Sequence, residues 1–282
     1  MGFCVASTMR LIVHQAAQRV RHFLLAVQFF TRIPVTGRLA DWVGFSPVML
    51  RASAAHFPGV GWVVGGLSAG LMWGLLQALP AQPGSAWVAA VLSTALSVWL
   101  TGAFHEDGLA DTADGLGGTV SRERALEIMK DSRIGSYGAV ALMLALLTKV
   151  LLLGLLVQAS GAVTAASALL AAHVSSRLLP LWVIRTLPHV GDTPTSKSKP
   201  LADSIGTRGL LAGLLWWLPA MVLVNWVSPG WPWLFALLTA LLALAWVRRL
   251  LWQRLGGFTG DGLGATQQLT ELAFYLGLVL AL

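Results

Sequence analysis

"FPGVGWVVGGLSAGLMWGLLQAL", residues 57–79, is an uncharged and largely apolar run. About 20 such residues, wound as a helix, cross the hydrocarbon core of a bilayer. Similar runs recur at 85–104, 137–157, 162–184, 209–227 and 231–247, and a shorter apolar tail covers 270–282. Only 11% of the 282 residues are charged and 56% are hydrophobic, whereas a soluble domain carries about a quarter charged residues. The chain therefore reads as an all-α, polytopic integral membrane protein with six or seven transmembrane helices, a single membrane domain over residues 1–282. Trp62, Trp87, Trp226, Trp231 and Trp233 stand near run ends, where an amphipathic ring suits the interface. Gly65, Gly66, Gly70 and Gly74 are expected to let another helix approach the first span closely.

The loops orient the chain. "PAQPGS" (80–85), "QASG" (158–161) and "SPGW" (228–231) are short and uncharged. The intervening segments hold the bases: six arginines before residue 57, then segments 105–136, 185–208 and 248–269. The positive-inside rule places these segments in the cytoplasm. A formal charge of +7 then reflects loops facing anionic lipid, and no nucleic-acid partner is expected. The single cysteine, Cys4, excludes an internal disulfide or a paired-cysteine metal site. Residues 8–30 read as an amphipathic or partly inserted segment that is kept, because no cleavage pattern follows "FLLAVQFF".

Seven of the twelve acids fall between Glu106 and Asp131, and none falls within the six spans. Chemistry is thus expected at the cytoplasmic helix ends. In "AFHEDGLADTADGLGG" (103–118), Asp107, Asp111 and Asp114 are spaced i, i+4, i+7, within roughly 60° of one another on a helix. Three carboxylates on one stripe repel unless a cation sits among them, and carboxylate oxygen is the donor that Mg²⁺ prefers. The glycines and alanines around them leave room for a bulky anion. Ser121 is placed to cap a short helix with an apolar face at Ala125, Ile128 and Met129. That helix would bring Lys130, Asp131 and Arg133 toward the stripe, and the Arg133 fork suits phosphate. The glycine-rich run "GGFTGDGLGA" (256–265) lacks P-loop spacing, although Gly260 and Asp261 remain binding candidates. Arg177 and Lys149 lie inside spans, where bases face a cavity or a partner, or snorkel outward. His105 is a candidate for proton transfer. The polar stretch 191–206, with Lys197 and Lys199, reads as a mobile loop or substrate lid.

"FFTRIPV" (29–35), "FPGVGW" (57–62), "FHEDGLADTADGLGG" (104–118), "EIMKDSRIGSYGAVAL" (127–142) and "GGFTGDGLGA" occur in this order. Together they make the chain resemble the cobalamin synthase family, the adenosylcobinamide-GDP ribazoletransferases, from about residue 25 onward. Residues 1–22 look like a variable extension. The resemblance implies a Mg²⁺-dependent enzyme of the bacterial inner membrane, with its active site facing the cytoplasm. Its small-molecule substrates are adenosylcobinamide-GDP and α-ribazole or its 5′-phosphate, and its products are adenosylcobalamin or its 5′-phosphate and GMP. The lipid bilayer is a further partner, and a homo-oligomer is left open.

On that reaction Asp107, Asp111, Asp114 and Asp131 are expected to hold one or two Mg²⁺ ions. Asp107, Asp131 or His105 would take the hydroxyl proton. Lys130, Arg133 and Arg177 would pair with phosphate, and Gly260 and Asp261 would close the far side. Glu106 is given no role, because it lies off the stripe and the family often has an apolar residue there. Two rivals fit less well. Phospholipid-forming phosphotransferases need a different order of Asp and Gly, and transporters place their ionisable groups at the midplane.

Overall fold

The computed structural model describes residues 2–191, 204–230 and 232–282, with side chains from Gln15 onward. The chain starts with α1 (Gly2–Phe30), α2 (Gly37–Val43) and α3 (Pro47–Ser53). Ser46 caps α3 by accepting from the Met49 amide, with Pro47 at the first helical position. A 3-10 turn, Ala54–His56, leads into α4 (Phe57–Ala78). Then come α5 (Pro83–Thr101), α6 (Phe104–Gly117), α7 (Arg122–Ile128), α8 (Ser136–Thr186), α9 (Thr207–Val227), α10 (Pro232–Leu255) and α11 (Gly260–Leu280). The described residues contain no strand beyond an isolated bridge between His189 and Phe258.

Five helical segments among the described residues are long and apolar enough to cross a membrane: Pro47–Ala78, α5, α8, α9 and α10. At 51 residues, α8 is more than twice the length that one crossing needs. Its helical path breaks at Gly161, whose φ of 80° and ψ of 174° lie outside the helical region. Lys149 and His173 are equally far from Gly161 in sequence, and both reach Glu271, at 2.7 and 3.6 Å. The two arms of α8 therefore lie side by side as two crossings, and the expected loop at 158–161 reduces to this bend. Leu215, Leu218, Val222, Leu241, Leu242 and Trp246 point outward, as residues solvated by lipid do.

Three expectations need correction. The stretch 248–269 is not a loop: α10 runs to Leu255 and α11 begins at Gly260. Only four residues connect them, held by Phe258 N–H to Pro188 O and Val190 N–H to Phe258 O, both 2.9 Å. The apolar tail is the second half of α11, which packs against α6, α8 and α10. Nor do all acids stay at the helix ends: Glu271 is 1% exposed, buried against Lys149 of α8. Along α4 it is Gly61 and Gly65 that meet the backbone of His173 and Leu170 on α8, while Gly66, Gly70 and Gly74 face open space.

A close helix contact in the polar half of the molecule joins α6 to α11. A β-carbon on Gly108 would lie 2.9 Å from the Asp261 carbonyl oxygen, and one on Gly264 would lie 3.2 Å from the Gly108 Cα. Backbone thus packs on backbone, which only glycine permits at this separation. Gly108→Ala is expected to push the helices apart and cost about 1–3 kcal/mol, read as a lower unfolding temperature in detergent. Gly66→Ala, facing open space, should leave that temperature unchanged or slightly raise it.

Candidate active site

The acid helix α6 is fixed at both ends. Its start follows two left-handed residues, Gly102 (φ 66°) and Ala103 (φ 60°), which reverse the chain after α5. The left-handed region costs an L-residue with a β-carbon roughly 1–2 kcal/mol, so Ala103 is held there by its surroundings. At the other end Arg254 of α10 donates to the carbonyls of Leu116 (2.9 Å) and Gly118 (2.7 Å). These are carbonyls the helix leaves without internal partners. Between them Gly115 seats Met129, just beyond α7. The short helix forms as expected, with Ser121 accepting from the Arg124 amide at 3.3 Å and with Ala125 and Met129 buried.

Asp107, Asp111 and Asp114 share one stripe of α6, and the glycine contact brings Asp261, in the first turn of α11, to the same place. Asp107 is exposed and the other three are half-buried. Burial, and then the charges of Asp107, Asp261 and Asp114, push the Asp111 carboxyl up to about 7. Burial, with Asp107 beside it, pushes Asp261 up to about 6. Asp114 already has partners: its carboxylate accepts from the amides of Gly135 (2.7 Å) and Gly138 (2.8 Å) at the start of α8. A carboxylate at a helix N-terminus satisfies orphan amides and complements the dipole.

Four carboxylates with surplus negative charge suit a hard cation. Asp107, Asp111 and Asp261 retain the freest oxygens for one. Among the described residues no three His, Cys, Asp or Glu side chains converge far enough to enclose an ion by themselves. A cation held here would keep positions open for oxygens from outside the protein, as Mg²⁺ does with substrate phosphates.

The remaining candidates lie elsewhere. Asp131 pairs with Arg133 on the surface, Nη2 to Oδ2 at 2.6 Å, and this partner lowers its carboxyl to about 2. Asp131 therefore does not join the stripe, and Asp261 stands where it was expected. Lys130 and Arg133 are exposed on the loop between α7 and α8. Arg177 is 1% exposed, donating to His173 O at 3.0 Å with its guanidinium over Phe57. It faces the protein interior, not the acids. His105 is buried with its ring stacked near Phe57 and Phe30. Two residues from Asp107 on a helix, it points away from the stripe. Burial, then Arg177, holds it well below its ordinary pKa and so neutral. Gly260 opens α11 beside Thr259, whose hydroxyl accepts from the Gly262 amide. The lid at 191–206, with Lys197 and Lys199, lies outside the described residues apart from its edges.

Behind the acids is a polar network absent from the sequence reading. Gln268 donates to Glu106 Oε1 (3.0 Å) and to Gln267 Oε1 (2.9 Å). Gln267 donates to Glu271 Oε2 (2.6 Å) and Ser176 Oγ (2.9 Å). Glu271 Oε1 receives Lys149 at 2.7 Å and the Tyr275 hydroxyl at 3.0 Å. A sequence signal did exist: "QQLTE", 267–271, puts Gln267 and Glu271 one helical turn apart against an apolar tail, with Lys149 available inside a span.

The cobalamin-5-phosphate synthase family profile matches residues 22–279. An adenosylcobinamide-GDP ribazoletransferase of Albidiferax ferrireducens is 58% identical, covering 94% of this chain and 100% of its own. One of Polaromonas sp. is 57% identical over 94% of this chain and 99% of its own. One of Vibrio cholerae is 42% identical over 90% and 91%. No solved structure matches. The acids at the α6–α11 junction thus sit in a chain that belongs to the cobalamin-5-phosphate synthase family.

Proposed function

We propose that the chain is an adenosylcobinamide-GDP ribazoletransferase, joining adenosylcobinamide-GDP to α-ribazole or its 5′-phosphate and releasing GMP. The observation that carries this reading is the meeting of Asp107, Asp111, Asp114 and Asp261 at the α6–α11 junction, in a member of this family. A ribose hydroxyl attacks the phosphorus that bears the cobinamide arm, the bond from that phosphorus to the GMP oxygen breaks, and the hydroxyl proton leaves. Such displacement depends mainly on positioning and charge neutralisation.

Asp107, Asp111 and Asp261 would hold a divalent cation, Mg²⁺ in this proposal, which would offset the phosphate charge and ease departure of GMP. Asp114 fixes α6 against the start of α8 and so sets the stripe's orientation. Asp107, the most exposed of the four, meets the incoming substrate and is the proposed acceptor of the hydroxyl proton. Lys130 and Arg133, exposed near the same end, draw in the anionic substrates. The basic loops support a placement of this face toward the cytoplasm at the inner membrane.

Purified protein given adenosylcobinamide-GDP and α-ribazole should release GMP only with Mg²⁺ present. Asp107→Asn or Asp111→Asn should lower that rate by about a hundredfold or more, since even outer partners of metal ligands matter 10- to 100-fold. Near-normal turnover in either variant sinks the cation assignment.

The raised carboxyls at Asp111 and Asp261 give a second expected outcome. A carboxyl raised in the folded state stabilises the protein below its ordinary pKa of 3.8, and that contribution is lost as pH rises through its folded value. The folded values here are about 7 and about 6. In EDTA the unfolding temperature should therefore fall between pH 5 and pH 8, and Asp111→Asn should flatten the fall. Added Mg²⁺ should restore more stability at pH 8 than at pH 6, because the cation replaces protons. An equal effect at both pH values would contradict this.

A further inference from the structure

Glu106 is the acid to which sequence reasoning gave no role. It is 5% exposed on the flank of α6, off the stripe, and it is hydrogen-bonded to α11 through Gln268 Nε2 to Glu106 Oε1 at 3.0 Å. A buried carboxylate is costly unless its surroundings use it. This one adds a directional attachment between the two helices that carry the acids. They also meet through the glycine contact of Gly108 with Asp261 and Gly264 and through the apolar cluster of Leu109, Ala265, Leu269 and Leu272. Apolar packing is non-directional and tolerates small slides and rotations, and a bond from Glu106 to Gln268 restricts them.

The bond does not end at Gln268. Through Gln267 it continues to Glu271 and Ser176, and from Glu271 to Lys149, which also donates to Ser97 Oγ at 3.2 Å. Thus α6 and α11 are referenced to both arms of α8 and to α5, all rigid helices. Every link is buried, where competing water is excluded and hydrogen bonds hold geometry most firmly.

We propose that Glu106 is a positioning residue: by accepting from Gln268 it sets the angle between α6 and α11, and so the spacing of Asp107 and Asp111 from Asp261. The consequence concerns the cation more than the organic substrates. Loss of the bond lets the carboxylates from the two helices separate, weakening a divalent ion that needs both. The inference rests on the cation reading proposed above. It concerns residues that touch neither the ion nor the substrates.

The test is a titration of purified protein with Mg²⁺ alone, following the unfolding temperature, beside steady-state GMP release. Glu106→Ala should raise the Mg²⁺ midpoint about tenfold, the size seen when outer partners of metal ligands are removed. The KM for α-ribazole at saturating Mg²⁺ should stay the same. Glu106→Gln, which keeps the accepting oxygen, should recover most of the loss.

Gln268→Leu, which also loses the bond to Gln267, should raise the midpoint at least as much as Glu106→Ala does. The double variant should add little to it, because the bond between Glu106 and Gln268 is lost in all three. Additive midpoints, or a Glu106→Gln midpoint as weak as that of Glu106→Ala, would overturn the proposal. If Glu106→Ala fails to fold, the comparison of Glu106→Gln with Gln268→Leu decides. Should wild-type protein respond to Mg²⁺ in the titration yet release no GMP, the functional reading fails while the positioning test still reads out.

Discussion

The backbone contact of Gly108 with Asp261 and Gly264 is the constraint on which the rest of the site depends. A carboxylate side chain is short, so acids on two helices act together only where the helices nearly touch. Beside this contact the pair shares an apolar cluster of Leu109 with Ala265, Leu269 and Leu272. Further attachments hold α6 in place: Arg254 on its C-terminal carbonyls, Met129 against Gly115, and Asp114 on the first amides of α8. Those attachments hold acids whose burial, and then mutual repulsion, raises the carboxyls of Asp111 and Asp261.

Hydropathy made the outer shell of the fold legible, because residues that face lipid must be apolar along a whole crossing. All six expected spans correspond to helices, the third and fourth as the two arms of α8. The same measure misread α11. Its Thr266, Gln267, Gln268, Thr270 and Glu271 are buried among protein groups, and they satisfy one another instead of water. A window average cannot tell a polar helix that pairs inside a bundle from a polar loop. The glycines added to the error, since glycine marks turns in most sequences. In α11 it marks close packing against α6 and, at Gly277, against α10.

The stripe of Asp107, Asp111 and Asp114 was legible because helical period alone gathers it. Asp261 was harder to place, since its approach depends on a contact between helices far apart in sequence. Asp131 misled for a local reason: Arg133, two residues on, offers it a closer partner than the stripe does. Arg177 and His105 carry the right chemistry but lie behind the acids among Phe30, Phe57 and His173. Their burial beside Glu271 and Lys149 makes them part of the scaffold that balances charge inside the membrane domain.

The long excursion of α8 has a consequence for how the protein is made. Its first turn is bonded to Asp114, and Thr186, at its far end, accepts from Arg248 of α10 just ahead of the turn into α11. The hairpin thus leaves the acid helix and returns to the neighbourhood of its partner. More than half the chain separates Asp107 from Asp261, and α11 leaves the ribosome after both arms of α8. Each new copy therefore carries Asp107, Asp111 and Asp114 through a long stretch of synthesis before Asp261 can join them. The centre comes into being only when α11 packs against α6 and the arms of α8.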